Sequence, residues 1–340
     1  MKNIVKELCR GLIVGCLIPA VLLTIVVAAS QGSVGHAQTT PTAQTAPQFS
    51  TATPFVTEPT ESILFQAPPV NIRVLVDDAV VQMDLEEYVL RVVLGEVPAD
   101  FEIEALKAQA VVARTFALKL NKSKRHDGAV CTASGCCQAY QTEAGYLKKG
   151  GTEEKMEKVR SAVEATRGKV LIYGGELINA TYFSCSGGTT EDAVAVWGYD
   201  IPYLQSVQSP GEEAASTYYR EKVLTPEEFR KALAVQLKGQ PESWFGKVTY
   251  TEGGGVDTMT IGGISYKGTT LRSLLGLRST MFTVSVEKGN IVVRMKGYGH
   301  RVGMSQYGAD AMALAGSNYR EILAHYYVGT VLADYPLTGS

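Results

Sequence analysis

The sequence predicts an α+β protein. Helices and antiparallel hairpins form a main lobe carrying a smaller inserted β-rich lobe, and one N-terminal transmembrane helix precedes them. Three observations carry this reading. Residues 11–29 are a nineteen-residue run without a charge, long enough to cross about 30 Å of hydrocarbon as a helix. An alternating hairpin and two helical-period stretches follow between about 70 and 121. Strand-like segments with Gly-rich turns then interrupt the pattern within about 213–293, before two closing helices.

Taken in order, Lys2, Lys6 and Arg10 precede the apolar run, and positive charge on that side predicts a cytoplasmic N-terminus and an extracytoplasmic remainder. The alternative is a signal peptide cleaved after Ala37 in "VGHA". The run exceeds a usual signal core, which favours an uncleaved anchor over residues 1–29. Residues 30–57 contain no Lys, Arg, Asp or Glu and cannot build a core, so 30–65 reads as a flexible extracytoplasmic linker. The folded domain is expected over 66–337.

Within it, "VNIRVLVDDAVVQMDL" is a hairpin turning at Asp77 and Asp78, and "LEEYVLRVVL" is a helix stopping at Gly95. Asp100 can cap a second helix running to about 121. Its buried face holds Ile103, Leu106, Ala110, Ala113, Ala117 and Leu120, and Lys107 and Arg114 share another face. Another helix spans about 153–166, and "KVLIYGGELINATYFS" is a hairpin turning at Gly174 and Gly175. Residues 213–245 read as helical and polar, and 246–295 as strands. "SQYGADAMALAG" and "SNYREILAHYYVG" are helices ending at Gly316 and Gly329. The formal net charge of −2 over 340 residues, with no basic stripe, argues against nucleic acid as a partner.

Three blocks stand out: "GEVPADFEIEALKAQAVVARTFAL", "YFSCSGGTTEDAVAVWGYDIPYLQSV" and "GYGHRVGMSQYGADAMALAGSNYREILAHYYVGT". In them the chain resembles the stage II sporulation protein D family, membrane-anchored lytic transglycosylases of endospore-forming bacteria. Where that family has glycine after the histidine of the third block, this chain has Arg301. The resemblance implies cleavage of peptidoglycan between N-acetylmuramic acid and N-acetylglucosamine during spore engulfment, with Glu96 as the catalytic residue. It also implies glycan strands stripped of stem peptides as substrate, and two partners: a cell-wall amidase and a membrane scaffold protein. A non-catalytic glycan-binding scaffold is the competing reading.

The chemistry fits a single carboxylate. An acid protonates the glycosidic oxygen, and the carboxylate then takes the proton of the sugar's own C6 hydroxyl, closing a 1,6-anhydro ring without water. One group can do both only if its pKa lies near ambient pH, which partial burial can achieve. Glu96, between Gly95 and Val97-Pro98, is expected on a fixed non-helical turn. A hydrolase would need a second carboxylate, roughly 5–9.5 Å away. Among the other acids of the three blocks only Glu191 lies where a glycan groove is expected.

Substrate contacts are expected from Lys107, Gln109 and Arg114 on the second helix. In the middle block they are expected from Tyr182, Ser184, Ser186, Gly187, Gly188, Thr190 and Glu191, where turn amides can hold a sugar. In the third block they are His300, Ser305 and Gln306, with Ser305 also able to cap a helix. "HDGAVCTASGCCQAYQ" places His126, Cys131, Cys136 and Cys137 within twelve residues. Four such ligands suit a closed structural zinc site with no open position for catalysis. A disulfide from Cys131 to one of the adjacent cysteines is the alternative outside the cytoplasm.

Overall fold

The computed structural model describes residues 69–123 and 125–337. The anchor and linker expected over 1–65 lie outside them. Among the described residues no helix is long and apolar enough to cross a membrane.

Strands β1 (Asn71–Val76) and β2 (Ala79–Asp84) pair antiparallel. Asp77 and Asp78 between them both take left-handed backbone, φ 46 and 65, the two-residue turn whose twist matches the strands. Asp84 then caps α1 (Leu85–Glu96) by accepting from the amides of Glu86 and Glu87. The helix runs one residue past the expected stop, so Glu96 is its last residue and not part of a non-helical turn.

Helix α2 (Ile103–Asn121) is the axis of the main core. Its Ala105, Leu106, Ala108, Ala110, Val111, Val112, Ala113 and Ala117 are all buried. The helix is therefore covered on nearly every side, and its small side chains let neighbouring elements approach closely. Asp100 does not cap it. Asp310, from a helix near the C-terminus, accepts the Glu102 amide at 2.7 Å, while Asp100 pairs with Lys155 at 2.8 Å.

After β3 (Val130–Cys131), which joins β1 in parallel, come α3 (Glu143–Lys148) and α4 (Glu153–Ala165). Strands β4 (Lys169–Tyr173) and β5 (Glu176–Leu177) form the second hairpin. Gly174 and Gly175 supply its two positive φ angles, 58 and 85. β6 (Tyr182–Phe183) and α5 (Ala193–Trp197) lead to a second hydrophobic core.

That core spans Leu224 to Met295 around Phe229, Trp244, Ile261, Leu271 and Ile291. It is built by β7 (Tyr219–Leu224), α6 (Pro226–Leu233), β8 (Phe245–Tyr250), β9 (Val256–Ile261), β10 (Ile264–Lys267), α7 (Gly268–Leu274), β11 (Phe282–Glu287) and β12 (Asn290–Lys296). Two three-stranded antiparallel sheets result, β10-β9-β8 and β11-β12-β7. Two elements here differ from expectation. "YREKVL" is a strand because β12 offers it a partner. "GTTLRSL" is helical despite weak propensity, with Gly268 so close to Val256 that a Cβ would lie 1.8 Å from its carbonyl oxygen.

The chain closes with β13 (Met304–Ser305), parallel to β6, then α8 (Gln306–Leu314), α9 (Tyr319–Tyr326) and β14 (Val331–Asp334) beside β4. Ser305 caps α8 by accepting the Gly308 amide at 3.2 Å. The parallel β6–β13 pair brings the middle and last sequence blocks together, next to the end of α1.

Candidate functional site

A cleft of about 660 Å³ opens there, walled by the end of α1, residues 134–139, β6 and the loop 298–300. Glu96 lines it and is half-buried. Its Oε1 accepts from the Ala139 amide at 2.6 Å and from the Tyr182 hydroxyl at 3.0 Å. Tyr182 in turn accepts from Gln138 Nε2 at 2.9 Å, and Gln138 Oε1 accepts from Tyr88 at 3.2 Å. A chain of three side chains therefore fixes the orientation of the carboxyl group.

Burial pushes the Glu96 carboxyl above its ordinary pKa, and the contacts with Ala139, Tyr182 and Gln306 offset this only in part. The C-terminal end of α1 also disfavours negative charge. Gln306, at the start of α8, is buried beside Glu96 and lines the cleft, yet its Nε2 makes no hydrogen bond of ordinary geometry among the described residues. Its side chain acts on the Glu96 carboxyl and favours the ionised form. Among the described residues lining the cleft, Glu96 is the only acid.

His300 forms part of the opposite wall. Its Nδ1 accepts the Val302 amide at 3.2 Å, and a hydrogen bond to the Tyr182 backbone engages the ring as well. Burial and the nearby Arg272 charge bring its pKa down to about 4, so the ring is neutral. Its surroundings are Phe183 and Trp197 rather than Glu96. Ser184 lines the cleft.

The other expected contacts lie elsewhere. Arg114 is fully buried and binds Glu86 through Nε at 2.9 Å and through Nη2. It also reaches the Lys169 carbonyl at 3.1 Å. Lys107 pairs with Glu104 at 2.6 Å. Gln109 is 1% exposed and off the cleft, and nothing in the structure explains why its amide has no partner among the described residues. Helical spacing put Lys107 and Arg114 on a shared face, but α2 is enclosed on nearly every side, so Arg114 and Gln109 meet other elements and not a groove.

The turn after β6 also faces inward. Its Ser186 and Gly187 amides each donate to Glu212 at 2.9 Å, as the Ser186 hydroxyl does at 2.8 Å. Ser305 and Ser209 bind the other oxygen of the same carboxylate. The turn thus holds a buried side chain rather than a sugar. Gly188 continues it at φ 115. Thr190 is buried, accepting the Val207 amide at 2.8 Å. Glu191 is 1% exposed and ion-paired with Arg301 at 2.9 Å, so it cannot activate water in the cleft.

Arg301 occupies left-handed backbone, φ 68, which costs a non-glycine residue about 1–2 kcal/mol. Its guanidinium offsets this by binding Glu191 and the carbonyls of Ser186, Thr189 and Gly253 at 2.6–2.9 Å. It fastens the turn to the loop between β8 and β9.

The cysteine loop forms the remaining wall. One donor atom from each of His126, Cys131, Cys136 and Cys137 lies within 4.8 Å of all the others, and no disulfide forms among the described cysteines. Tetrahedral zinc with bonds of about 2.0–2.3 Å needs such a cluster, so the donor set fits that ion. Cys136 and Cys137 also line the cleft, three and two residues before the Ala139 amide that binds Glu96. Sequence reading missed Gln138, Phe116, Tyr298 and Glu212. The spacing of Gln138 from Cys136 and Cys137 offered a signal, and the others had none.

Comparisons with known proteins follow the same regions. A family model described as "SpoIID: Stage II sporulation protein" matches residues 77–173. The chain is 41% identical over 278 residues to "Stage II sporulation protein D" of Bacillus subtilis (strain 168), covering 79% of this chain and 80% of that protein. It is 40% identical over 263 residues to the protein of that name from Bacillus amyloliquefaciens, covering 75% and 76%. It is also 30% identical over 305 residues to "Amidase enhancer" of Bacillus subtilis (strain 168), covering 72% of this chain and 40% of that protein.

Proposed function

This chain belongs to the stage II sporulation protein D family, and from that premise we propose that it is a membrane-anchored peptidoglycan lytic transglycosylase acting in spore engulfment. The observation that carries the reaction class is the lone acid of the cleft, Glu96, raised in pKa and held by three contacts. The family's role in sporulation supports peptidoglycan as substrate, and the likeness to a protein named Amidase enhancer supports a cell-wall amidase as partner. A membrane scaffold is the second partner. The anchor is the apolar run over 11–29.

In this mechanism the protonated Glu96 gives its proton to the oxygen between N-acetylmuramic acid and N-acetylglucosamine as that bond breaks. The resulting carboxylate takes the proton of the muramic C6 hydroxyl, whose oxygen closes on C1. Glu96 ends protonated, ready for another cycle. Ala139 and Tyr182 stabilise the carboxylate between the two transfers, and their bonds to Oε1 leave Oε2 to meet the sugar. Gln306 also favours the carboxylate, and neutral His300 with Ser184 shapes the wall.

His126, Cys131, Cys136 and Cys137 would hold a structural zinc. It would supply no proton transfer, only rigidity to the loop that presents Ala139 to Glu96. A strong chelator is therefore expected to lower the melting temperature by more than about 10 °C, and a thiol reductant to change it little. Destabilisation by reductant, with no zinc on elemental analysis, would identify a disulfide loop instead.

Digestion in heavy-oxygen water tests the reaction class. Intramolecular attack leaves the new 1,6-anhydro end unlabelled, whereas early incorporation at C1 would make the protein a hydrolase. Binding of glycan with no cleavage at all would leave a scaffold.

A further inference from the structure

Two arginines stand beside one wall of the cleft with no ion-pair partner among the described residues. The Arg278 guanidinium lies over the Tyr298 ring, 4.9 Å from its centroid. Its carbonyl accepts the Gly299 amide at 3.0 Å and Arg272 Nε at 3.3 Å. Tyr298 and Gly299 are cleft residues, and Tyr298 is 42% exposed. Arg272, on α7, is half-buried, and its charge bears on both His300 and Tyr298. The second core thus supports two cations against one wall of the site.

Fully buried Arg114 and Arg301 are each matched by a carboxylate, Glu86 and Glu191, and half-buried Arg91 is matched by Glu143. Among the described residues Arg272 and Arg278 form no ion pair. Withdrawing a guanidinium from water without a counter-ion is costly. An arriving anion would relieve that cost, and a guanidinium fork matches a carboxylate in shape. The Tyr298 ring beside them offers an apolar face to a sugar.

We infer that Arg272 and Arg278 form, beside that wall of the cleft, a carboxylate-binding subsite that takes the lactyl carboxylate of an N-acetylmuramic acid residue in the bound strand. This rests on the glycan reading above. The lactyl group is the only acid on the bare strand, and it loses its charge wherever it is joined to a peptide through an amide. Stem peptides carry carboxylates of their own, so the two sources have to be separated by experiment.

The test uses the full-length chain bearing Glu96→Gln to prevent turnover. Calorimetry compares four ligands of equal length: bare glycan strands, the same strands with lactyl acids converted to simple amides, peptide-bearing strands, and N-acetylglucosamine oligomers. Adding Arg272→Gln and Arg278→Gln together is expected to weaken bare-strand binding about tenfold or more, since one charged hydrogen bond is worth about 1.5–3 kcal/mol. Binding of the amidated strands and neutral oligomers stays unchanged. Equal weakening for all four, or none for bare strands, overturns the subsite. A loss confined to peptide-bearing strands assigns the arginines to peptide carboxylates and overturns it too. If the double variant melts early, Arg272→Lys with Arg278→Lys must preserve the preference for acid over amide. Bare-strand affinity must also fall with salt more steeply than amidated-strand affinity. Acid-selective binding by the Glu96→Gln chain, with no cleavage by the unmodified chain, would sink the transglycosylase reading and leave the subsite standing, and cleavage by the unmodified chain without acid selectivity would do the reverse.

Discussion

Glu96→Gln is expected to abolish cleavage of purified glycan strands while leaving the protein folded and able to bind them. The amide keeps the shape of the carboxyl group and can still accept from Ala139 and Tyr182, but it has no proton to give. General acid–base catalysis is worth about 10²–10⁴-fold, and this one group serves both proton transfers. A loss of at least about 10³-fold is therefore expected, read by mass spectrometry of anhydro-ended products. An unchanged rate would remove Glu96 from the mechanism.

Its raised pKa adds a test through stability. The folded state disfavours the ionised carboxyl, chiefly through burial. Stability that is present below the unfolded carboxyl pKa is therefore lost as pH rises through the higher folded value. Glutamine does not titrate. The melting temperature of the variant minus that of the unmodified protein should increase from acidic to neutral pH, by a few degrees. One pKa unit corresponds to about 1.4 kcal/mol, and 1 kcal/mol to about 2–4 °C in a domain of this size. A difference that shrinks over this range would mean that the bonds to Glu96 outweigh its burial. In activity, the fall on the alkaline side should come at higher pH than an ordinary glutamate allows, because the protonated form survives longer.

Arg114→Ala is expected to cost stability rather than substrate affinity. The guanidinium joins α1, α2 and β4 through Glu86 and the Lys169 carbonyl, and Glu86 also accepts the Gly168 amide at 3.1 Å. Removing one partner of a buried pair costs about 3–5 kcal/mol, because the other charge is left unmatched. That corresponds to a fall of roughly 6–20 °C in melting temperature. Replacing both residues with apolar ones, Arg114→Met with Glu86→Leu, should recover most of it. If Arg114→Ala melts normally and loses glycan binding instead, the side chain serves the cleft and its buried pairing here is not its working state.

Much of the architecture was legible because it is local. The Asp77-Asp78 and Gly174-Gly175 turns, the periodicity of α2 and the Ser305 cap each depend on residues within one turn or one strand pair. The clustering of His126 with three cysteines was legible for the same reason, since one short loop carries all four ligands. β7, α7 and β14 were not. Each is weak by itself and exists because a distant element accepts it, β12 for β7 and β4 for β14.

By itself the sequence determined which residue types meet in the site region: the glutamate before Val97-Pro98, the cysteine loop, and the histidine and glutamine of the third block. Tertiary structure alone decided which of them face the cleft. Periodicity reports that Lys107 and Arg114 share a face, but not that α2 is enclosed so that Arg114 meets Glu86. Glycines after a strand report a turn with free amides, but not that Glu212 occupies them. The same holds for Glu191, which a sequence leaves available as a second catalytic acid until Arg301, more than a hundred residues away, is seen to bind it. Burial and charge pairing are long-range properties, because a buried ion is tolerated only where some other part of the chain supplies its partner.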